Sequence, residues 1–236
     1  MAQTEQFISE GIKWIDETNP TKEEVAELSK TYNLSHHIVQ DCMQPEHLPK
    51  FEIVEDVQFM ILRYLSKEDT IGTTIQEITN KIAIFYTDNF LITIHKSQTP
   101  FIEDIRKRFQ TVSKPATTTE VILKIVWNAL ETFDGRADTL SSQVDIYENE
   151  VMQRKTPNRQ MEALYHIKRE ASLSNKVLML MQEPINHFFP KPGEEPLVQD
   201  VKDQLLKMRT LYGQILEDIN NLMNLLISFS AQLQTM

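Results

Sequence analysis

Five side chains able to hold a metal ion fall within twelve residues: His36, His37, Asp41, Cys42 and His47, in the stretch SHHIVQDCMQPEH. Imidazole and thiolate are zinc-type ligands, and a carboxylate can complete such a set. Their spacing matches neither a zinc finger nor a two-histidine helix pair, so exposed helix side chains are the plainer account. His95, His166 and His187 are scattered and read as structural or solvated. The chain contains no glycine-rich phosphate loop, no G-x-S-x-G elbow and no H-E-x-x-H helix. Its one cysteine has no histidine placed to make it a nucleophile. No enzyme is read from these residues.

Composition narrows the classes further. The 236 residues are 25% charged and 41% hydrophobic, which is ordinary for a globular chain with room for one large or two small domains. A formal net charge of −10 argues against nucleic acid as a partner and makes cations the natural counter-charge. A single cysteine fits a reducing compartment. The opening MAQTEQFISE lacks the basic and apolar regions of a signal peptide, and no run approaches the roughly 20 apolar residues of a membrane span. The expectation is a cytosolic chain.

The elements that must carry these residues come in two textures. Through residue 112 the segments are short and mixed. GIKWID reads as a strand. Pro20 and the pair Thr21 and Glu24 start a helix with capping-box spacing, and Ser35 is the expected N-cap of a second one. KFEIVEDVQFMILRYL, QEITNKIAIFY and NFLITIH are strand-like, the last two joined by a turn at TDN. TPFIEDIRKRFQ is one more helix. The fold class is α+β: an N-terminal mixed sheet flanked by helices over residues 1–112, then three long helices over 117–236.

In the second texture, Thr117 and Glu120 open a helix whose apolar residues run Val126, Leu130, Phe133, Ala137, Leu140, Val144, Tyr147 and Val151, a heptad seam. Pro157 opens the next helix, with Leu164, Ile167, Ala171, Ser174, Leu178 and Met181 on one face. Pro184, Pro190, Pro192 and Pro196 are expected to break the chain around the loop FFPKPGEEP. The last helix, from Leu197 onward, would span about 60 Å. Its seam runs from Val201 through Leu205, Met208, Tyr212, Ile215, Ile219, Leu222, Leu226 and Phe229 to Leu233, in alternating steps of four and three. A second apolar stripe, Leu206, Leu211, Leu216, Met223, Leu225 and Ile227, lies off that seam and needs a partner. A plain three-helix bundle and a stalk that packs on copies of itself both fit the pattern.

The stretch HHIVQDCMQPEHLPKFEIVEDVQFMILRYL resembles the signature of the CorA family of divalent-cation transporters, in which an acidic helix end precedes a Pro-Lys-apolar-Glu stretch and a strand. Around it, Trp14-Ile15-Asp16, NFLITIH, the Lys168-Arg169 pair of LYHIKREASL and the stalk opening PLVQDVKDQL follow in the family's order. The resemblance implies a homopentamer whose stalk helices form a funnel toward a pore, on the cytoplasmic side of the inner membrane. It also implies that the chain stops before the membrane helices that anchor the full-length protein, which would explain an apolar helix running to the last residue. Regulatory Mg2+, or another divalent cation, would sit between subunits and hold the channel shut, with the funnel loosening when the ion is lost. Transport of Mg2+ or Co2+ is the first expectation, and a zinc-transporting branch of the same family is the alternative. A coiled-coil scaffold that binds another protein is the alternative of a different class.

By motif, the family's bridging site falls on Gln40-Asp41 at the end of the short helix and on Asp200 at the stalk start, with Asp203 one turn on as a substitute ligand. Hard cations of this kind take oxygen ligands, usually one or two carboxylates with retained water. Gln40 stands where the family has an acid, and Asn128 replaces a further family aspartate, so the implied site is short of two carboxylates. Without the resemblance, Asp41 reads as a solvated helix end and Asp200 as a first-turn acid favoured by the helix dipole.

Overall fold

The computed structural model describes all residues except 1, 10, 67–71, 112–115, 154–156, 189–191 and 235–236. Six strands form one mixed sheet in the order β1-β2-β6-β5-β4-β3. These are β1 (Ala2–Ser9), β2 (Ile12–Thr18), β3 (Lys50–Val54), β4 (Val57–Leu65), β5 (Thr79–Tyr86) and β6 (Phe90–His95). Only β2 and β6 run parallel, with Lys13 opposite Phe90 and Thr18 opposite His95. The TDN turn closes the β5–β6 hairpin, with Thr87 N–H donating to the Phe90 carbonyl. The edge strand β1 was not anticipated: Ala2–Ser9 pairs antiparallel with β2. AQTEQFIS alternates poorly, and its pairing with β2, not its own pattern, makes it a strand.

The sheet is covered on both faces, which explains why β4, β5 and β6 read as nearly continuous apolar runs. On one face, Ile15, Phe59, Ile61, Ala83, Phe85 and Ile92 pack against α1 (Lys22–Thr31) and α2 (His36–Met43). On the other, Trp14, Met60, Leu62, Ile82, Ile84 and Leu91 join a continuous core with the remaining helices. These are the short α3 (Ile75–Ile78), α4 (Pro100–Thr111) and the long α5 (Thr118–Met152), α6 (Pro157–Asn186) and α7 (Glu195–Gln234). A buried polar chain locks β2 to β6: the Trp14 indole N–H donates to Thr93 Oγ1 at 3.0 Å, and the Thr93 hydroxyl donates to Asp16 Oδ1. His95 Nε2 lies 3.0 Å from that same oxygen. His95 is thus structural, as its isolation in the sequence suggests.

Helix starts follow the sequence signals closely. Thr21 and Glu24 form a complete capping box. Thr117 accepts from Glu120 N–H, and its hydroxyl donates to Glu194, tying the start of α5 to that of α7. Ser35 takes the extended N-cap conformation, but its hydroxyl makes no capping bond. Pro184 does not break the chain. It lies inside α6, which continues to Asn186, because a proline two residues from a helix end removes one hydrogen bond while His187 N–H still reaches the Glu183 carbonyl. Pro196 lies in the first turn of α7, where its missing N–H costs nothing.

The seams of α5 and α7 are buried along most of their length. In α7, Val201, Leu205, Met208, Tyr212, Ile215, Ile219, Leu222 and Leu226 all lie in the core, and the Tyr212 hydroxyl donates to the Phe133 carbonyl across the α5 contact. The second stripe of α7 is only partly covered by its own chain. Leu206 and Ile227 are 63% and 57% exposed, and Leu211, Leu216, Met223 and Leu225 only half-buried.

Candidate metal sites

Asp41 occupies the last turn of α2, facing the strand β3. It is almost fully buried rather than a solvated helix end, because Ile38 and Cys42 on the adjoining face pull α2 down onto the sheet. Its Oδ2 accepts from Lys50 Nζ at 2.7 Å, and the same ammonium lies 2.8 Å from Glu52 Oε1. His37 Nε2 is 3.8 Å and His47 Nε2 3.6 Å from Asp41 Oδ2. Burial pushes the Asp41 carboxyl up, but the hydrogen bond and charge of Lys50, aided by His47 and His37, outweigh it and hold it below the usual carboxylate range. All these contacts use Oδ2. Among the described residues, Oδ1 has no partner.

The loop after α2 is held from beneath. Arg63, buried in β4, donates from Nε to the His47 carbonyl, from Nη2 to the Pro45 carbonyl and from Nη1 to Thr79 Oγ1. Lys81 of β5 donates to the Cys42 and Gln44 carbonyls, closing the C-terminal end of α2 as a cation should. Neither cation meets a carboxylate in these contacts. They are spent on backbone oxygens, which fixes the position of His47.

The zinc-type residues therefore sort by face. His37, Asp41 and Glu52 bring one ligand atom each to within 4.8 Å of one another. His36 is exposed elsewhere on α2. Cys42 points into the core, where burial pushes its thiol up to about 12, so it is neither nucleophile nor ligand at neutral pH. Glu52 was missed in the sequence, since it is eleven residues from Asp41 and on a strand. Its alternation with Phe51, which faces the other core, was the available signal.

Gln40, beside Asp41, is exposed. Asp200 and Asp203 lie on α7 in the opposite layer, with the sheet between them and Asp41. Asp200 is exposed, at the rim of a groove of about 360 Å³ that Phe101, Asp104, Trp127, Asn128 and Val201 also line. Asn128 there turns its amide back onto its own helix, donating to the Lys124 carbonyl. Asp203 accepts from Gln199. One chain thus keeps Asp41 and Asp200 apart.

A family model described as "CorA-like Mg2+ transporter protein" matches residues 9–235. The "Cobalt/magnesium transport protein CorA" of Methanocaldococcus jannaschii is 25% identical over 223 residues, covering 86% of this chain and 66% of that protein. The chain spans between 22% and 66% of the length of the curated relatives it matches. The complete CorA magnesium transporter structure from the same organism superposes with a TM-score of 0.79 at 17% identity, over 95% of this chain and 72% of that one. The ZntB cytoplasmic domain from Vibrio parahaemolyticus superposes at 0.59 and 16% identity, over 94% and 86%. Among the described residues, no helix is long and apolar enough to cross a membrane.

Proposed function

We propose a function from one premise: the chain belongs to the family of CorA-like Mg2+ transporter proteins, whose model covers residues 9–235. The chain is read as the cytoplasmic ion-sensing and gating domain of a divalent metal ion transporter for Mg2+ or Co2+. The family match carries this reading, and two features of the fold support its finer parts. The partly covered stripe on α7, with Leu206 and Ile227 exposed, calls for further copies of the same helix, which a pentameric funnel supplies. The separation of Asp41 and Asp200 by the sheet means that only neighbouring copies can bring them together. A divalent ion bridging Asp41 Oδ1 of one copy to Asp200 of the next, with Asp203 or Gln40 contributing directly or through water, would favour the closed ring. Loss of the ion would release it, which is control by differential affinity for two states.

Sedimentation velocity with and without millimolar Mg2+ tests this on the unaltered chain, Asp41→Asn and Asp200→Asn. Mg2+ should shift the unaltered chain toward a larger species, and each substitution should remove most of the shift. At a hundred times the dissociation constant, the gain per filled site is about 2.7 kcal/mol. Identical metal responses in all three would remove these residues from the mechanism. A tight dimer through α7, indifferent to metal, would favour the scaffold reading. The likeness to the ZntB domain favours a zinc branch as the second reading of the transported ion, and the same series run with Zn2+ separates the two.

A further inference from the structure

We propose that His37, Asp41 and Glu52 form, within a single chain, a binding site for a borderline transition cation of the Zn2+, Co2+ and Ni2+ class, with Lys50 as its built-in competitor. This site needs no second copy and no residue of α7, so it shares only Asp41 with the bridging site proposed above and can be tested separately from it.

Spacing is the first argument. A tetrahedral zinc ion with bonds of about 2.0–2.2 Å sets neighbouring ligand atoms roughly 3.3–3.6 Å apart. His37 Nε2 lies 3.6 Å from Glu52 Oε2 and 3.8 Å from Asp41 Oδ2, so these two edges need contraction by only a few tenths of an ångström, and all three ligand atoms lie within 4.8 Å of one another. His37 and Asp41 are one turn apart on α2, and Glu52 stands on β3, so rigid elements carry all three. His37 is the exposed ligand, giving an ion a path in from solvent.

Unmet polar atoms are the second argument. Glu52 Oε2 is buried and has no hydrogen-bond partner, a rare and costly state for a carboxylate oxygen. His47 Nδ1 lies 3.1 Å from the Leu48 carbonyl, which can only accept, so the proton is on Nδ1. His47 Nε2 then lies 3.6 Å from Asp41 Oδ2, at the edge of the cluster. Arg63 and Lys81, by holding the loop carbonyls, keep His47 in that pose. A ligand histidine or a flanking one is normally oriented by such a bond through its other nitrogen.

Charge and chemistry choose the ion. With neutral imidazoles, Asp41, Glu52 and Lys50 leave one net negative charge, and Lys50 Nζ already sits between the two carboxylates. A metal ion therefore competes with an ammonium, and removing that ammonium should strengthen binding. A nitrogen ligand suits Zn2+, Co2+ and Ni2+, whereas Mg2+ takes oxygen and water.

The test is calorimetric titration of the untagged chain with Zn2+, Ni2+ and Mg2+, at a concentration where sedimentation shows single chains. Co2+ serves as an absorption probe of nitrogen ligation. One Zn2+ per chain should bind. His37→Gln and Glu52→Gln should weaken it at least tenfold, and Lys50→Gln should tighten it at least tenfold. His36→Gln and Asp200→Asn should change nothing. His37 is exposed, so its substitution leaves the fold intact and the result readable. Zn2+ affinity equal in His37→Gln and the unaltered chain would overturn the proposal, as would weaker binding in Lys50→Gln. Binding lost in Asp200→Asn but kept in His37→Gln would overturn it too, and would assign the ion to the site between copies.

Discussion

Two buried carboxylates, Asp41 on α2 and Glu17 on β2, show how environment, not residue type, sets behaviour. Asp41 has Lys50 against it and stays ionised. Glu17, at the end of β2, has no cation paired with it among the described residues. Burial, with the charges of Glu24, Asp16 and Glu5, raises its carboxyl to about 6. A raised carboxyl means that the folded chain holds a proton the unfolded chain has already lost. Stability should therefore fall as pH rises from about 4.5 to about 6, by at most about 2 kcal/mol. Glu17→Gln should remove that slope and leave the protein more stable at pH 7. Urea unfolding at pH 4.5 and pH 7 checks it, and an unchanged pH dependence in the variant would refute it.

At the scale of elements, the informative segment is the loop between α2 and β3. It contains no regular structure beyond turns, yet its carbonyls are stapled from the sheet by Arg63 and Lys81. Arg63→Met keeps the apolar stem and deletes three hydrogen bonds from a charged donor. Two backbone carbonyls are then left without those partners, so the cost should be about 3 kcal/mol. Hydrogen exchange should accelerate over residues 44–49 while α5–α7 stay protected. The same substitution should weaken Zn2+ binding through the displaced His47 rather than through a lost ligand. Unaltered exchange in this loop would show that Arg63 does not hold it.

For the whole molecule, the question is what α7 is shaped to meet. One stripe closes the bundle with α5 and α6, and the other faces outward with Leu206 and Ile227 more than half exposed. Replacing both with serine should leave the thermal midpoint of single chains nearly unchanged, since exposed positions away from special features typically shift stability by no more than about 0.5 kcal/mol each. Association, with or without Mg2+, should be lost. Trp127 reports on the same event, because it lines the groove that ends at Asp200 and is only half-buried, whereas Trp14 is sealed in the core. Its emission should change on assembly and stay constant in the double serine variant.

Periodicity and punctuation were enough to read the long helices, their seams, the covered strands and the caps at Thr21 and Thr117, because each depends on neighbours within one or two turns. The order of motifs was enough to read the family. The strand β1 escaped, since its register comes from β2 and not from its own residues. The continuation of α6 past Pro184 escaped because one missing bond near a helix end is cheap. The cluster around Asp41 could not be read at all from spacing: His37 and Asp41 share a helix face, but Glu52 and Lys50 reach them only after β3 is laid beside α2, on the face that alternation assigns to it. Burial then decided the rest. The same packing that sends Cys42 into the core holds Asp41 against Lys50, and the sheet that separates Asp41 from Asp200 is a fact of layers, which no linear spacing contains.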